Sequence, residues 1–353
     1  MKLSNRIIIP LGVCAALALA GCTSAETAAS GGQSGSEADA TSDGTGGVCN
    51  AIILENAQSV DSSEENPVAS EEALSTVGLS EDPTAAPTVT YEAPLAVTAE
   101  SVLIADQGDG DTISEGQVIT FNYLVCDIVT GDKMYSTWGE TSDDDVPASF
   151  VLSATNFGQT FVDSLDGANV GSRLLWGQPG YSADESYTGA ASNGYLYVMD
   201  ITDAQTLPDS AEGTEVTPSD ENLPTVEFKD GTPTITIPST FTDPTELVVE
   251  PLIEGTGETV EAGQTIAVKY SGWLTDGTQF DSSWDDEGNS EAAVFKIGVG
   301  QVITGWDEAL VGQKVGSRLL LVIPSDMGYG ESGSGSIPAD STLIFVVDIL
   351  GVF

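Results

Sequence analysis

The residues best suited to chemistry cluster in the last third of the chain. Tyr270 follows a β-branched run, and Phe280-Asp281 comes after a short polar stretch. Trp306 closes Gly300-Gln301-Val302-Ile303-Thr304-Gly305-Trp306, and Tyr329-Gly330 and Leu343-Ile344-Phe345 lie further on. Aromatics at turn and strand ends, with one carboxylate among them, predict a concave apolar pocket with few polar groups, suited to a small apolar ligand or a proline ring. Each aromatic taken alone is an ordinary core residue. Gly272, Gly277, Gly300, Gly305, Gly328 and Gly330 break the apolar pattern more often than a closed core needs, and glycines let backbone approach a ligand closely. The chain has no histidine, which removes the usual zinc ligand and the usual general base together. No metal or cofactor is expected.

The elements that must carry these residues are mostly strands. Glu246 to Ile253, Thr265 to Trp273, Arg318 to Ile323 and Thr342 to Leu350 are β-branched runs bounded by Gly, Pro or Asp. Thr304 to Val311 is the one good helix candidate, with Trp306, Leu310 and Val311 at helical spacing. One short helix over antiparallel strands gives an α+β domain. The pattern occurs twice. Val170-Gly171-Ser172-Arg173-Leu174-Leu175 returns letter for letter as Val315 to Leu320, and Tyr195 to Ile201 is echoed by Leu343 to Ile349. Gly108-Asp109-Gly110 is echoed by Gly255-Thr256-Gly257, and Pro87 to Tyr91 by Pro224 to Phe228. Echoes kept in order over this length signal a duplication.

Residues from about 247 to 353 resemble the FK506-binding-protein (FKBP) type of peptidyl-prolyl cis-trans isomerase along almost the whole of such a domain. The resemblance implies a curved sheet of five or six strands wrapped on one short helix, with the pocket between them. It assigns a catalytic set. Tyr270 ends the strand beside the pocket, Phe280 and Asp281 form one wall, and Trp306 is the floor. Val302-Ile303 is the family's Val-Ile pair, the Ile303 backbone N–H donating to a substrate carbonyl. The Tyr329 hydroxyl reaches a ligand carbonyl, and Ile337 and Phe345 complete the apolar wall. Asp281 is not read as a general base. It holds the Tyr270 hydroxyl, polarises the pocket, or is a plain surface acid.

Ala293 departs from the family, which often has an aromatic there, and thins one wall. The loop from Ser283 to Phe295 is strongly acidic, with Asp285, Asp286, Glu287 and Glu291, but the spacing does not suit a calcium loop of the EF-hand kind. The Gly/Ser loop around Ser334 predicts a mobile lid. In the first copy Tyr123 stands for Tyr270, but Met134-Tyr135 replaces Phe280-Asp281, Phe157-Gly158 replaces Val302-Ile303, and Phe161 replaces Trp306. Only Tyr181 loosely matches Tyr329. The first copy therefore reads as a degenerate FKBP-like domain.

The organisation expected is a signal peptide (1–22), a low-complexity tether (23–81), the degenerate domain (82–205), a linker (206–222) and the isomerase domain (223–353). Lys2 and Arg6 precede an apolar stretch of signal-peptide length, too short for a confident membrane span. Leu19-Ala20-Gly21-Cys22 resembles a bacterial lipobox, in which Cys22 takes the lipid. Lipidation implies an extracytoplasmic protein anchored to the bacterial cell membrane. Cys49 and Cys126 remain as an even pair, which suggests a disulfide in an oxidising compartment. With 9 Lys and Arg against 55 Asp and Glu, the net charge is -46. That argues against nucleic acid and against direct adhesion to anionic lipid. A halophile-like surface explains the charge, as does self-repulsion outside the cell, the preferred account. The partners expected are proline-containing segments of exported proteins, and a monomer is expected. The competing readings are a peptide-binding chaperone without useful catalysis and a structural surface protein with two rigid modules.

Overall fold

The computed structural model describes residues 47–53, 67–80, 82, 85–139, 146–181, 192–218, 220–229, 231–284 and 291–353. Segment 1–22 with Cys22, the tether up to residue 46, and Asp285, Asp286 and Glu287 lie outside them. Among the described residues no helix is long and apolar enough to cross a membrane.

The chain begins with β1 (Val48–Ile53), α1 (Pro67–Leu74), β2 (Gly78–Leu79) and β3 (Thr88–Ala93). β3 runs between β1 and β2, parallel to the first and antiparallel to the second. Next come β4 (Ser101–Asp106), β5 (Val118–Asp127), β6 (Lys133–Ser136) and β7 (Ala148–Val151). Helices α2 (Ala154–Phe157) and α3 (Gln159–Leu165) follow, then β8 (Arg173–Tyr181) and β9 (Ser192–Gln205). These six strands pair in the order β4-β8-β9-β5-β6, with β7 added to β5.

The second half opens with β10 (Gly213–Glu215) and a hairpin, β11 (Thr225–Lys229) and β12 (Thr232–Thr236). Then come β13 (Val248–Gly255), β14 (Thr265–Leu274), β15 (Gln279–Ser282), β16 (Ala293–Lys296), α4 (Thr304–Leu310), β17 (Arg318–Ile323) and β18 (Leu343–Val352). Their sheet runs β10-β13-β17-β18-β14-β15, with β16 on β14. With β10 set aside, the two sheets have the same strand order. The sequence echoes sit at equivalent joints. Gly110 and Gly257 each donate to the carbonyl of the valine opening the repeated Val-Gly-Ser-Arg motif, both at 3.0 Å. Gly108 and Gly255 donate to Ser172 and Ser317 Oγ in that motif.

Strand side chains alternate between faces, and here both faces are apolar. On one face of the second sheet, Ile266, Val268, Tyr270, Leu321 and Phe345 pack against Trp306, Ala309 and Leu310 of α4. On the other, Trp273, Leu320, Val322, Ile344 and Val346 pack against Val226, Ile235, Ile237 and Phe241 from the hairpin and its exit. The first sheet is built alike. Phe161, Val162 and Leu165 of α3 cover one face, and Leu74, Val89 and Tyr91 cover the other.

The structure corrects two expected boundaries. Residues 48–53, 67–74 and 78–79, placed in the tether (23–81), form β1, α1 and β2. Residues 213–215, placed in the linker, form β10 and pair with β13. β1, α1 and β2 owe their order to the apolar face of the first sheet, against which Cys49, Ala51, Leu74, Val77 and Leu79 pack, whereas the exposed β10 is held by backbone pairing with β13. The Cys49–Cys126 disulfide joins β1 to β5 across this layer, with Cα atoms 5.9 Å apart.

Each copy of the repeated Arg-Leu-Leu strand carries a buried ion pair. Arg318 donates from Nε to Asp348 Oδ1 at 2.6 Å and from Nη2 to Oδ2 at 2.7 Å. Arg173 holds Asp200 by the same fork, both bonds at 2.6 Å. The arginines reach beyond their partners. Arg318 lies 3.6 Å over the Phe228 ring of the hairpin, and Arg173 Nη2 donates to the Ala85 carbonyl at 3.2 Å.

Candidate functional site

β14, β15, β18 and α4 bring the sequence-predicted aromatics together. Trp306, in the first turn of α4, is buried and meets Tyr270 at 5.1 Å and Phe345 at 5.2 Å, both nearly edge-on. Phe280 meets Phe345 edge-on at 5.5 Å, and Phe295 approaches Trp306 at 5.4 Å. Edge-to-face packing sets the positive ring edge against the negative face and fixes each ring's angle. Gly272 makes the crowding possible, since a Cβ there would stand 2.6 Å from the Phe280 ring and 2.7 Å from that of Phe345. Gly305 does the same for the helix, where a Cβ would meet Ile323 at 2.5 Å.

The polar groups are few and placed. The Tyr270 hydroxyl donates to Asp281 Oδ2 at 2.6 Å, and the Ser282 N–H donates to Oδ1 at 2.9 Å. Asp281 is buried, so of the three readings left open by sequence the surface acid is the one that fails. Tyr329 sits between two short 3-10 turns, half-buried against the cluster. Burial, and then the Asp281 charge, raise its pKa above the ordinary tyrosine value. Trp306 Nε1 is buried with no hydrogen-bond partner among the described residues. Ile303 is the N-cap of α4, in extended backbone geometry. Its carbonyl accepts from the Trp306 and Asp307 N–H groups, while its own N–H has no acceptor among the described residues. Ile337 is buried in the same cluster and Val302 packs at its rim.

Asp307 was not among the sequence-derived candidates. Its two carboxylate oxygens accept from the Gly298 and Gly300 N–H groups, each at 2.7 Å, and so hold the loop that delivers Val302 and Ile303. The signal was a carboxylate in the first turn of a helix that follows a Gly-x-Gly loop. The loop around Ser334 also differs from expectation. Ser334 and Ile337 exchange backbone bonds at 3.0 and 2.8 Å, and the Asp340 N–H donates to the Gly330 carbonyl at 2.9 Å. These bonds close the loop on itself, where composition alone predicted a lid. Ala293 packs against the cluster. A separate groove of about 500 Å³, lined by Ile237, Pro238, Phe241, Thr242, Asp243 and Thr275, contains none of these residues.

Residues 256–350 match the family model described as FKBP-type peptidyl-prolyl cis-trans isomerase. An FK506-binding protein of Neisseria meningitidis serogroup B is 48% identical over 108 residues, covering 30% of this chain and 96% of the relative. The chain belongs to the FKBP-type peptidyl-prolyl cis-trans isomerase family. An FK506-binding protein of Streptomyces anulatus is 39% identical over 132 residues, with 36% of this chain and 96% of the relative covered. The crystal structure of FkpA from Escherichia coli matches at 40% identity with a TM-score of 0.28, covering 31% of this chain and 48% of that one. The FKBP-type match falls on the second module, where the aromatic cluster lies.

The first module fills the equivalent space with its own rings. Phe157 stacks on Phe161 at 4.6 Å, Phe161 meets Trp176 at 4.8 Å, and Trp176 meets Tyr197 at 4.9 Å. By strand register Trp176 stands where Leu321 does and Val125 where Gly272 does. Tyr135 stacks on Tyr123 at 5.2 Å in place of the carboxylate that holds Tyr270. Trp176 Nε1 donates to Glu100 Oε1 at 2.9 Å, so this indole, unlike that of Trp306, has its partner.

Proposed function

We propose that the second module, residues 223–353, is a peptidyl-prolyl cis-trans isomerase and that the first is a degenerate FKBP-like module without that activity. The observation that carries the reading is the ring cluster of Tyr270, Phe280, Trp306 and Phe345. Two donors without a partner among the described residues, Trp306 Nε1 on α4 and the N–H of its N-cap Ile303, lie beside it.

The chemistry needs no nucleophile. Resonance sets a barrier of roughly 18–20 kcal/mol to rotation about a peptide bond, so an X–Pro bond interconverts over tens to hundreds of seconds. The twisted transition state has lost resonance and carries less charge separation than either planar form. An apolar site that excludes water disfavours the planar amide more than the twisted one, and this differential binding lowers the barrier. Phe280, Trp306 and Phe345 supply the apolar surface, and the Ile303 N–H orients the peptide by donating to a carbonyl. Tyr329 donates to a second carbonyl. Asp281 holds Tyr270 in place and takes no proton. A 10⁶-fold acceleration requires about 8 kcal/mol from these effects together.

In this reading Cys22 carries lipid, residues 23–46 tether the modules outside the cytoplasmic membrane, and the substrates are proline-containing segments of exported proteins, met by a monomer. Titrating the full chain with a short proline-containing peptide, while following assigned amide and indole NMR signals, tests the site. The Ile303 amide and the Trp306 indole N–H are expected to shift together, saturating at one affinity. Shifts confined to the first module, or to the groove at Phe241, would overturn the assignment.

A further inference from the structure

β16 has two neighbours of different origin. Among the described residues it pairs with β14 alone. Ala293 and Phe295 face the ring cluster, while Ala292 and Val294 face the other way. On that side they join Ala267 and Leu350 in one apolar cluster with Val118 and Val151 of the first module. Directly before β16, Glu291 Oε1 accepts from Ser153 Oγ at 2.9 Å and from Asn156 Nδ2 at 2.8 Å. Both donors are fixed within the first module. Ser153 caps α2 by accepting from the Asn156 N–H, and Asn156 Nδ2 also donates to the Val151 carbonyl at 2.9 Å.

We propose that the first module is a positioning part of the second module's peptide site, acting through Glu291 and β16. A strand is one residue thick, so what holds its outer face sets the place of its inner face. An edge strand with one paired neighbour has little else to fix it. The Glu291 latch and the shared apolar cluster therefore set Phe295 against Trp306. The consequence falls on peptide binding, since Tyr270, Asp281 and Ile303 are held by bonds that do not pass through β16. Duplication has here turned a module with a filled pocket into a support for its neighbour's pocket.

The inference rests on the isomerase reading of the second module, and the test separates the two. In the full chain, Glu291→Ala and the double variant Ser153→Ala/Asn156→Ala are expected to raise KM for a proline peptide about 3- to 10-fold, with kcat within about twofold of wild type. Amide hydrogen exchange at residues 293–296 should quicken at least about tenfold. Glu291→Gln, whose amide oxygen still accepts, should return both readouts to within about twofold of wild type. Unchanged exchange at 293–296 in Glu291→Ala overturns the proposal, and so does quickened exchange with KM unmoved. A wild-type chain that does not isomerise the peptide sinks the isomerase reading instead. The exchange result, with peptide affinity in place of KM, then decides the latch by the same criteria.

Discussion

Asp281 and Tyr329 illustrate how burial gives a side chain its role in this site. A buried carboxylate is costly unless its oxygens find donors. Tyr270 and the Ser282 N–H supply one to each oxygen of Asp281, which turns the carboxylate into a clamp for the Tyr270 ring. Tyr329 has the complementary situation. Burial and the nearby Asp281 charge both oppose loss of its proton, so its pKa lies above the ordinary value of about 10. The neutral phenol therefore persists through the pH range where an exposed tyrosine ionises. Stability linked to this group is complete below about pH 10 and is lost only as pH rises through the higher folded-state value. Tyr329→Phe should weaken proline-peptide binding about 2- to 10-fold, the worth of one hydrogen bond. That deficit should stay constant from pH 7 to about pH 10. Isothermal titration across this range checks it, and a deficit that vanishes below pH 9 would mean the hydroxyl is not the donor.

At the scale of elements, each sheet is held between a helix on one face and a preceding segment on the other. The strands and α4 were legible because β-branched runs bounded by turn residues, and a helical spacing of Trp306 and Leu310, report local preference directly. β17 runs over the residues expected, and β13, β14 and β18 end within about two residues of expectation. β1, β2, β10 and the latch at Glu291 were not legible. β2 is only two residues long, β1 and β10 depend on strands outside local reach, and Ser153 and Glu291 lie 138 residues apart. Asp307 was missed because a helix acid reads as solvent-facing until the amides of Gly298 and Gly300 are seen to point at it. The Arg318–Asp348 pair ties sheet to hairpin, because Arg318 both forks onto a fully buried carboxylate and covers Phe228. Removing one partner of such a pair leaves a buried charge uncompensated, at a cost of about 3–5 kcal/mol. Arg318→Met should lower unfolding stability by that amount in denaturant titrations, and a loss below about 1 kcal/mol would show the pair to be incidental.

At the scale of the whole molecule, two modules of one strand order differ in how their rings pack. In the first, Phe157 and Trp176 occupy the space beside Phe161, and the one indole there has a partner in Glu100. In the second, the Trp306 indole N–H and the Ile303 amide have no acceptor among the described residues. Catalysis should therefore reside in one module while both are needed for its geometry. NMR exchange spectroscopy on a proline peptide, with the full chain as wild type, Trp306→Leu and Phe161→Leu, examines this division directly. Trp306→Leu should slow catalysed cis-trans interconversion at least about tenfold, and Phe161→Leu should leave it within about threefold of wild type. Interconversion that survives Trp306→Leu, or is lost only in Phe161→Leu, would contradict the assignment of the isomerase site to the second module.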